Sequence, residues 1–159
     1  MITPSSNADD DYEVLQRFFS RGGSVRMLAG IDKCDMDTLY AYATQLFEAG
    51  EFEAARNIYL ILARVDHWSF DYWFALGLCS QRLSGHEDAV FCFGRAGMIH
   101  IDDPRASFFA GISYRILGND EYARTAFNAA MKWCGRQSQY EEIRKGAIEQ
   151  LACCKTEEN

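Results

Sequence analysis

The stretch Trp73-Phe-Ala-Leu-Gly77, followed by Ala89-Val-Phe-Cys-Phe93, decides the fold. Thirty-four residues later the chain reads Ser107-Phe-Phe-Ala-Gly111 and then Ala123-Arg-Thr-Ala-Phe127. Thirty-four residues earlier it reads Leu39-Tyr-Ala-Tyr-Ala43 and then Ala55-Arg-Asn-Ile-Tyr59. Leu62, Ala96 and Ala130 continue the register. Two antiparallel helices approach closely only where neither carries a bulky side chain at the crossing. Gly77 and Gly111 are therefore expected to face Ala89 and Ala123, with the aromatic of the next turn filling the widening gap. Gly50 and Gly118 mark left-handed helix ends, and the middle repeat carries Ser84-Gly85 there, its glycine one residue out of phase.

A period of 34 with small residues at two fixed places and an aromatic four residues after the second is the tetratricopeptide signature. The fold class is all-α: three tetratricopeptide helix hairpins in a short right-handed solenoid, with N-terminal helices and a C-terminal capping helix. The expected division is a disordered leader (1–9), an N-terminal helical region (10–34), three repeats over 35–135 (about 36–69, 70–103 and 104–135), a capping helix (136–154) and a tail (155–159). Pro104 after Asp102-Asp103 marks a helix start. Ser138 with Glu141 three residues on reads as a capping box opening the last helix, which covers the open end of the stack.

At 159 residues, 48% hydrophobic and 14% aromatic, the chain is one domain and too apolar for disorder. The longest apolar run, Ile58 to Ala63, is far short of the ~20 residues of a membrane span, and the start has neither the basic residues nor the apolar core of an export signal. A net charge of -7 without a basic run argues against nucleic acid and against stable membrane association. The six cysteines form no C-x-x-C pair, and no histidine stands at a ligand spacing. They read as reduced, packed thiols, and no metal or other cofactor is expected. A catalytic triad, a phosphate loop and paired carboxylates are all missing, which points to a non-enzyme.

The first helix of each hairpin carries more apolar surface than its own partner requires. Leu39, Ala43 and Leu46 form one stripe, while Tyr40, Thr44 and Phe47 form a second, rotated by about 100°. Phe70, Phe74 and Leu78 repeat that second stripe in the middle hairpin, and Phe108 with Ile112 repeats it in the third. Tyr40, Phe74 and Phe108 stand 34 residues apart. An aromatic groove suits an extended peptide with apolar side chains, and Arg82 and Arg115 are placed to meet acidic or backbone groups of such a ligand. The competing reading is that these residues are core between neighbouring hairpins.

Arg21-Gly-Gly-Ser-Val-Arg-Met-Leu ahead of the first repeat, Val65-Asp-His-Trp at its end, Ser69-Phe-Asp-Tyr-Trp-Phe and Ile101-Asp-Asp-Pro-Arg resemble the class II chaperones of type III secretion systems. The resemblance spans roughly residues 12–152. It implies a chaperone of the bacterial cytoplasm that binds an extended N-terminal segment of a hydrophobic translocator of the same secretion system. Tyr40, Thr44, Phe47, Phe74, Leu78, Phe108 and Ile112 would line its pockets. It also implies homodimer contacts in the N-terminal region, for which Tyr12, Leu15, Phe18 and Phe19 are candidates. Two alternatives remain open at this point: a chaperone of a secreted effector, or a general tetratricopeptide adaptor. A carboxylate-clamp adaptor is disfavoured, because Tyr40, Thr44, Ala75, Arg105 and Phe109 offer one basic residue among five.

Overall fold

The computed structural model describes residues 8–155, so the first seven residues of the expected leader and the last four of the tail lie outside it. The described residues are helical, with no strand among them. Two short helices come first, α1 (Ala8–Ser20) and α2 (Val25–Ala29). Three hairpins follow, formed by α3 (Lys33–Glu48) with α4 (Phe52–Val65), α5 (Phe70–Arg82) with α6 (His86–Ile99), and α7 (Pro104–Ile116) with α8 (Asp120–Cys134). Helix α9 (Glu141–Lys155) packs against α7 and α8 and closes the stack.

The repeated glycines hold the hairpins together, and the expected aromatics make the tightest contact. A β-carbon on Gly77 would lie 2.6 Å from the ring of Phe93, and one on Gly111 would lie 2.6 Å from the ring of Phe127. The rings themselves lie on the bare backbone, and Ala89 and Ala123 are fully buried in the same hairpins. A phenyl group reaches back toward the N-terminal end of its helix and covers the preceding turn. Phe93 and Phe127 are 1% and 0% exposed, so each burial stabilises its hairpin by roughly 2–3 kcal/mol. In the first hairpin Ala43 and Tyr59 stand at these places, both buried.

The three hairpin turns share one geometry. Gly50, Ser84 and Gly118 all have positive φ, at 83°, 62° and 77°. In each, the next residue's N–H reaches back five residues, as in Glu51 to Leu46 (2.9 Å), Gly85 to Ser80 (2.8 Å) and Asn119 to Tyr114 (2.8 Å). This is the Schellman closure of a helix C-terminus. The out-of-phase glycine of the middle repeat therefore leaves Ser84 in the left-handed conformation, and Gly85 has an ordinary φ of -84°.

At the N-terminal end, Phe18 packs its ring onto Gly23, where a β-carbon would come within 2.3 Å, and Phe19 lies 6.2 Å from the His67 ring. Arg26 of α2 pairs with Asp66 at the end of α4 (3.2 Å). At the C-terminal end, the expected capping box is absent. Residues Ser138–Tyr140 tighten into a 3-10 turn in which the Glu141 N–H bonds the Ser138 carbonyl, so Ser138 does not sit in the extended backbone a cap requires. The Glu141 carboxylate lies near Arg144 (3.5 Å) and Lys145 (3.8 Å) instead.

Candidate functional site

The first helices α3, α5 and α7 form one face of the stack, and their second apolar stripe lies along it. Its centre is in the middle hairpin. Phe74 stacks on Phe70 (5.5 Å between centroids, 14° between planes) and meets Phe93 at 5.7 Å and Phe109 at 5.6 Å. Phe70 is only 5% exposed, with the His100 ring edge-on at 5.5 Å. It supports Phe74 and offers little surface of its own. Phe74 and Leu78 remain half-buried.

Arg105 roofs this pair, its guanidinium 5.0 Å from the Phe70 centroid and 5.2 Å from that of Phe74. Asp103 fixes it there. The Asp103 carboxylate caps α7 by accepting the Arg105 backbone N–H at 3.0 Å, and it accepts the Arg105 side chain at 2.7 Å. Burial pushes the Asp103 carboxyl up, but the side-chain and backbone bonds from Arg105 outweigh it and hold the group below the usual carboxylate range. The same bond raises Arg105 above its ordinary value. Its fork is thus a permanent cation beside two phenyl faces.

Tyr40 holds the matching register in the first hairpin, with ring centroids 5.5 Å from Tyr59 and 5.7 Å from Tyr72. Burial, and then the charge of Asp71, push its hydroxyl up to about 12. The Thr44 hydroxyl is engaged internally, within 3.0 Å of both the Tyr40 carbonyl and the Tyr59 hydroxyl. Phe47 meets Phe52 at 5.1 Å, and the exposed Arg82 spans both rings at 5.9 and 5.7 Å. Arg82 thereby clips the middle hairpin to the turn of the first.

The third hairpin differs. Phe108 rests against Phe127 (5.9 Å), and its ring lies over Gly146 of α9, where a β-carbon would approach to 2.9 Å. Ile112 joins the cluster that contains Ala147 and Leu151 of α9, and Arg115 bonds the Gln150 side chain. Phe70, Phe74 and Arg105 are therefore brought together and Tyr40 packs with Tyr59 and Tyr72, while Phe108, Ile112 and Arg115 form a seam beneath the last helix. Tyr12 and Leu15 are 67% and 44% exposed, whereas Phe18 and Phe19 are half-buried against this chain's own Gly23 and His67.

Sequence reasoning passed over Arg105, Tyr72 and Phe109 as site residues. Arg105 had a signal in Asp103-Pro104-Arg105, an acid placed to cap a helix and to hold a cation two residues on. Tyr72 and Phe109 fall outside both stripes and gave none.

No family model matches the chain. The chaperone protein SicA of Salmonella typhimurium is 25% identical over 146 residues, which cover 92% of this chain and 86% of that protein. The crystal structure of a type III secretion complex from Aeromonas hydrophila superimposes with a TM-score of 0.88 at 25% identity, covering 92% of this chain and 97% of the other. In sequence and in fold the chain is thus similar to chaperones of type III secretion systems. The Yersinia enterocolitica type III secretion chaperone SycD, in complex with a peptide of the translocator YopD, shares the fold with a TM-score of 0.79 at 20% identity, over 81% of this chain and 98% of that one. Among the described residues no helix is long and apolar enough to cross a membrane, and no cluster of His, Cys, Asp or Glu is arranged to hold a metal. Four of this chain's cysteines are buried, and burial pushes Cys79 and Cys92 up to about 12, leaving them as packing groups.

Proposed function

We propose that the protein is a cytosolic chaperone that holds an extended N-terminal segment of a hydrophobic translocator against the face formed by α3, α5 and α7, keeping it soluble before secretion. A segment destined for a membrane exposes apolar surface that aggregates in water unless covered. The observation that carries the site is the ring cluster Phe70, Phe74 and Phe109 with the fixed Arg105 guanidinium over Phe70 and Phe74, and Tyr40 at the matching register of the first hairpin. Apolar client side chains gain burial against the rings, and the Arg105 cation meets carbonyl or carboxylate groups of an extended strand. The function is binding and release, without catalysis.

Co-expression with the largest hydrophobic translocator of the same secretion system tests this. Both proteins should recover as one soluble complex. Phe74→Glu should abolish the complex while leaving helical content unchanged, because it places a carboxylate in a pocket walled by phenyl groups. A client that stays insoluble beside the wild-type chaperone overturns the reading in favour of an effector client, and a complex that survives Phe74→Glu places the site elsewhere.

A further inference from the structure

The second helices carry two grooves on the other face of the stack, and the repeat register makes them directly comparable. One lies between α4 and α6 with α5 as its floor, a cavity of about 350 Å³ whose lining includes Arg56, Leu60, Arg64, Trp73, Leu76 and Phe91. The next lies between α6 and α8 over α7, about 270 Å³, and places Val90, Gly94, Met98, Ser107 and Ala110 thirty-four residues on from the first five. The position in the fold is the same, but the chemistry is not. No charged side chain lines the second groove, whereas the first joins two arginines to an aromatic wall.

The first groove is held open from within. Trp73 Nε1 donates to the His67 carbonyl at 3.0 Å, Phe91 meets the indole edge-on at 6.1 Å, and the Arg95 guanidinium lies 5.5 Å from its centroid. Phe91 is 63% exposed and forms the outer lip. Arg56 is half-buried and Arg64 exposed, and among the described residues neither makes a hydrogen bond or an ion pair. A half-buried guanidinium without a counter-ion is costly, and this chain has 23 acidic residues from which one could have been placed. Asp88 is the one carboxylate in the lining.

We propose that the groove between α4 and α6 binds an acidic segment of another protein carrying one large apolar side chain. That side chain enters against Trp73 and Leu60, and the flanking carboxylates meet Arg56 and Arg64. Charge complementarity selects the acid, and the preformed indole wall lowers the ordering cost of seating the anchor. The chain's own ends do not fit. Residues 1–7 contain no carboxylate side chain, and residues 156–159 contain no large apolar one. The site is separate from the aromatic face of α3, α5 and α7, so a translocator bound there leaves it free.

A short fluorescein-labelled peptide with one phenylalanine between glutamates is the probe, read by fluorescence anisotropy. It should bind wild type and Phe74→Glu equally, and Arg56→Glu/Arg64→Glu should weaken binding by about tenfold or more. Arg56→Gln/Arg64→Gln should weaken it in the same direction and serves if the charge reversal fails to fold. Met98→Glu, in the uncharged groove, should change nothing, and added salt should weaken binding throughout. Absent binding to wild type, or equal binding to wild type and both double variants, overturns the proposal. A dimer seen by light scattering that becomes a monomer on either double substitution also overturns it, by giving the groove to Tyr12 and Glu13 of a second copy. Recovery of the translocator complex by Arg56→Glu/Arg64→Glu separates this test from that of the translocator face.

Discussion

Phe74 and Phe108 stand at the same position of successive repeats, yet one faces a cation and the other a helix. Phe74 is roofed by Arg105 at 5.2 Å and has nothing from the C-terminal helix over it, while Phe108 is covered at Gly146. A repeat position therefore has no fixed role in a short solenoid. Within the stack the second stripe stays half-buried and open to one side; at the end the same stripe becomes the adhesive for the element that closes the fold. With three hairpins, one third of the apparent groove is consumed in this way.

The sharpest way to break the comparison is to force the seam apart. Gly146→Leu places a branched side chain where even a β-carbon would come within 2.9 Å of Phe108, and should cost about 2–3 kcal/mol in urea unfolding. Translocator binding at the Phe74 end should persist below the unfolding transition. Paired truncations come next. Phe74→Ala should weaken translocator binding by about 2 kcal/mol as a central anchor. Phe108→Ala should cost about 3 kcal/mol of stability and less of the binding. Equal binding losses by titration calorimetry would erase the distinction between groove and seam.

Asp103→Asn sharpens it from the cation's side. The Arg105 side chain is 40% exposed, so solvent screening limits the loss of stability at neutral pH to about 1 kcal/mol. Because the folded-state pKa of Asp103 is lowered, its contribution is fully present above the ordinary value of 3.8 and is lost as pH falls through the lowered value. Acid titration followed by circular dichroism should show a shallower acid limb in the variant. The smallest effect lies at the turn of the middle hairpin. Ser84→Gly removes a left-handed non-glycine residue at φ 62° and should stabilise the protein by about 0.5–1 kcal/mol, seen as a higher Tm.

The all-helical hairpin fold was legible because its signal is covalent spacing. Gly77, Gly111 and their aromatics repeat at an interval that neither burial nor neighbours can alter. Which atoms met was harder to read. Sequence spacing put Ala89 opposite Gly77, but it could not show that a ring's reach back along its helix makes Phe93 the nearest contact. Ser138 and Glu141 have the spacing of a capping box, yet a local 3-10 turn claims the backbone first. In the candidate site, Tyr40 and Phe74 could be picked out by register. The burial of Phe70 by His100 and the loss of Phe108 to α9 are tertiary outcomes, and a repeat alignment treats all its rows as equal.

Gln81 spans two hairpins, its amide donating to the Phe109 carbonyl at 2.8 Å and to the Ser113 hydroxyl at 2.7 Å. His86 Nδ1 lies 3.3 Å from that same hydroxyl. These bonds join α5, α6 and α7 through buried or half-buried polar atoms that lose their partners if either hairpin opens alone. The middle and third hairpins are therefore expected to open together, which hydrogen exchange checks by the amide protons of α6 and α7 exchanging as one group.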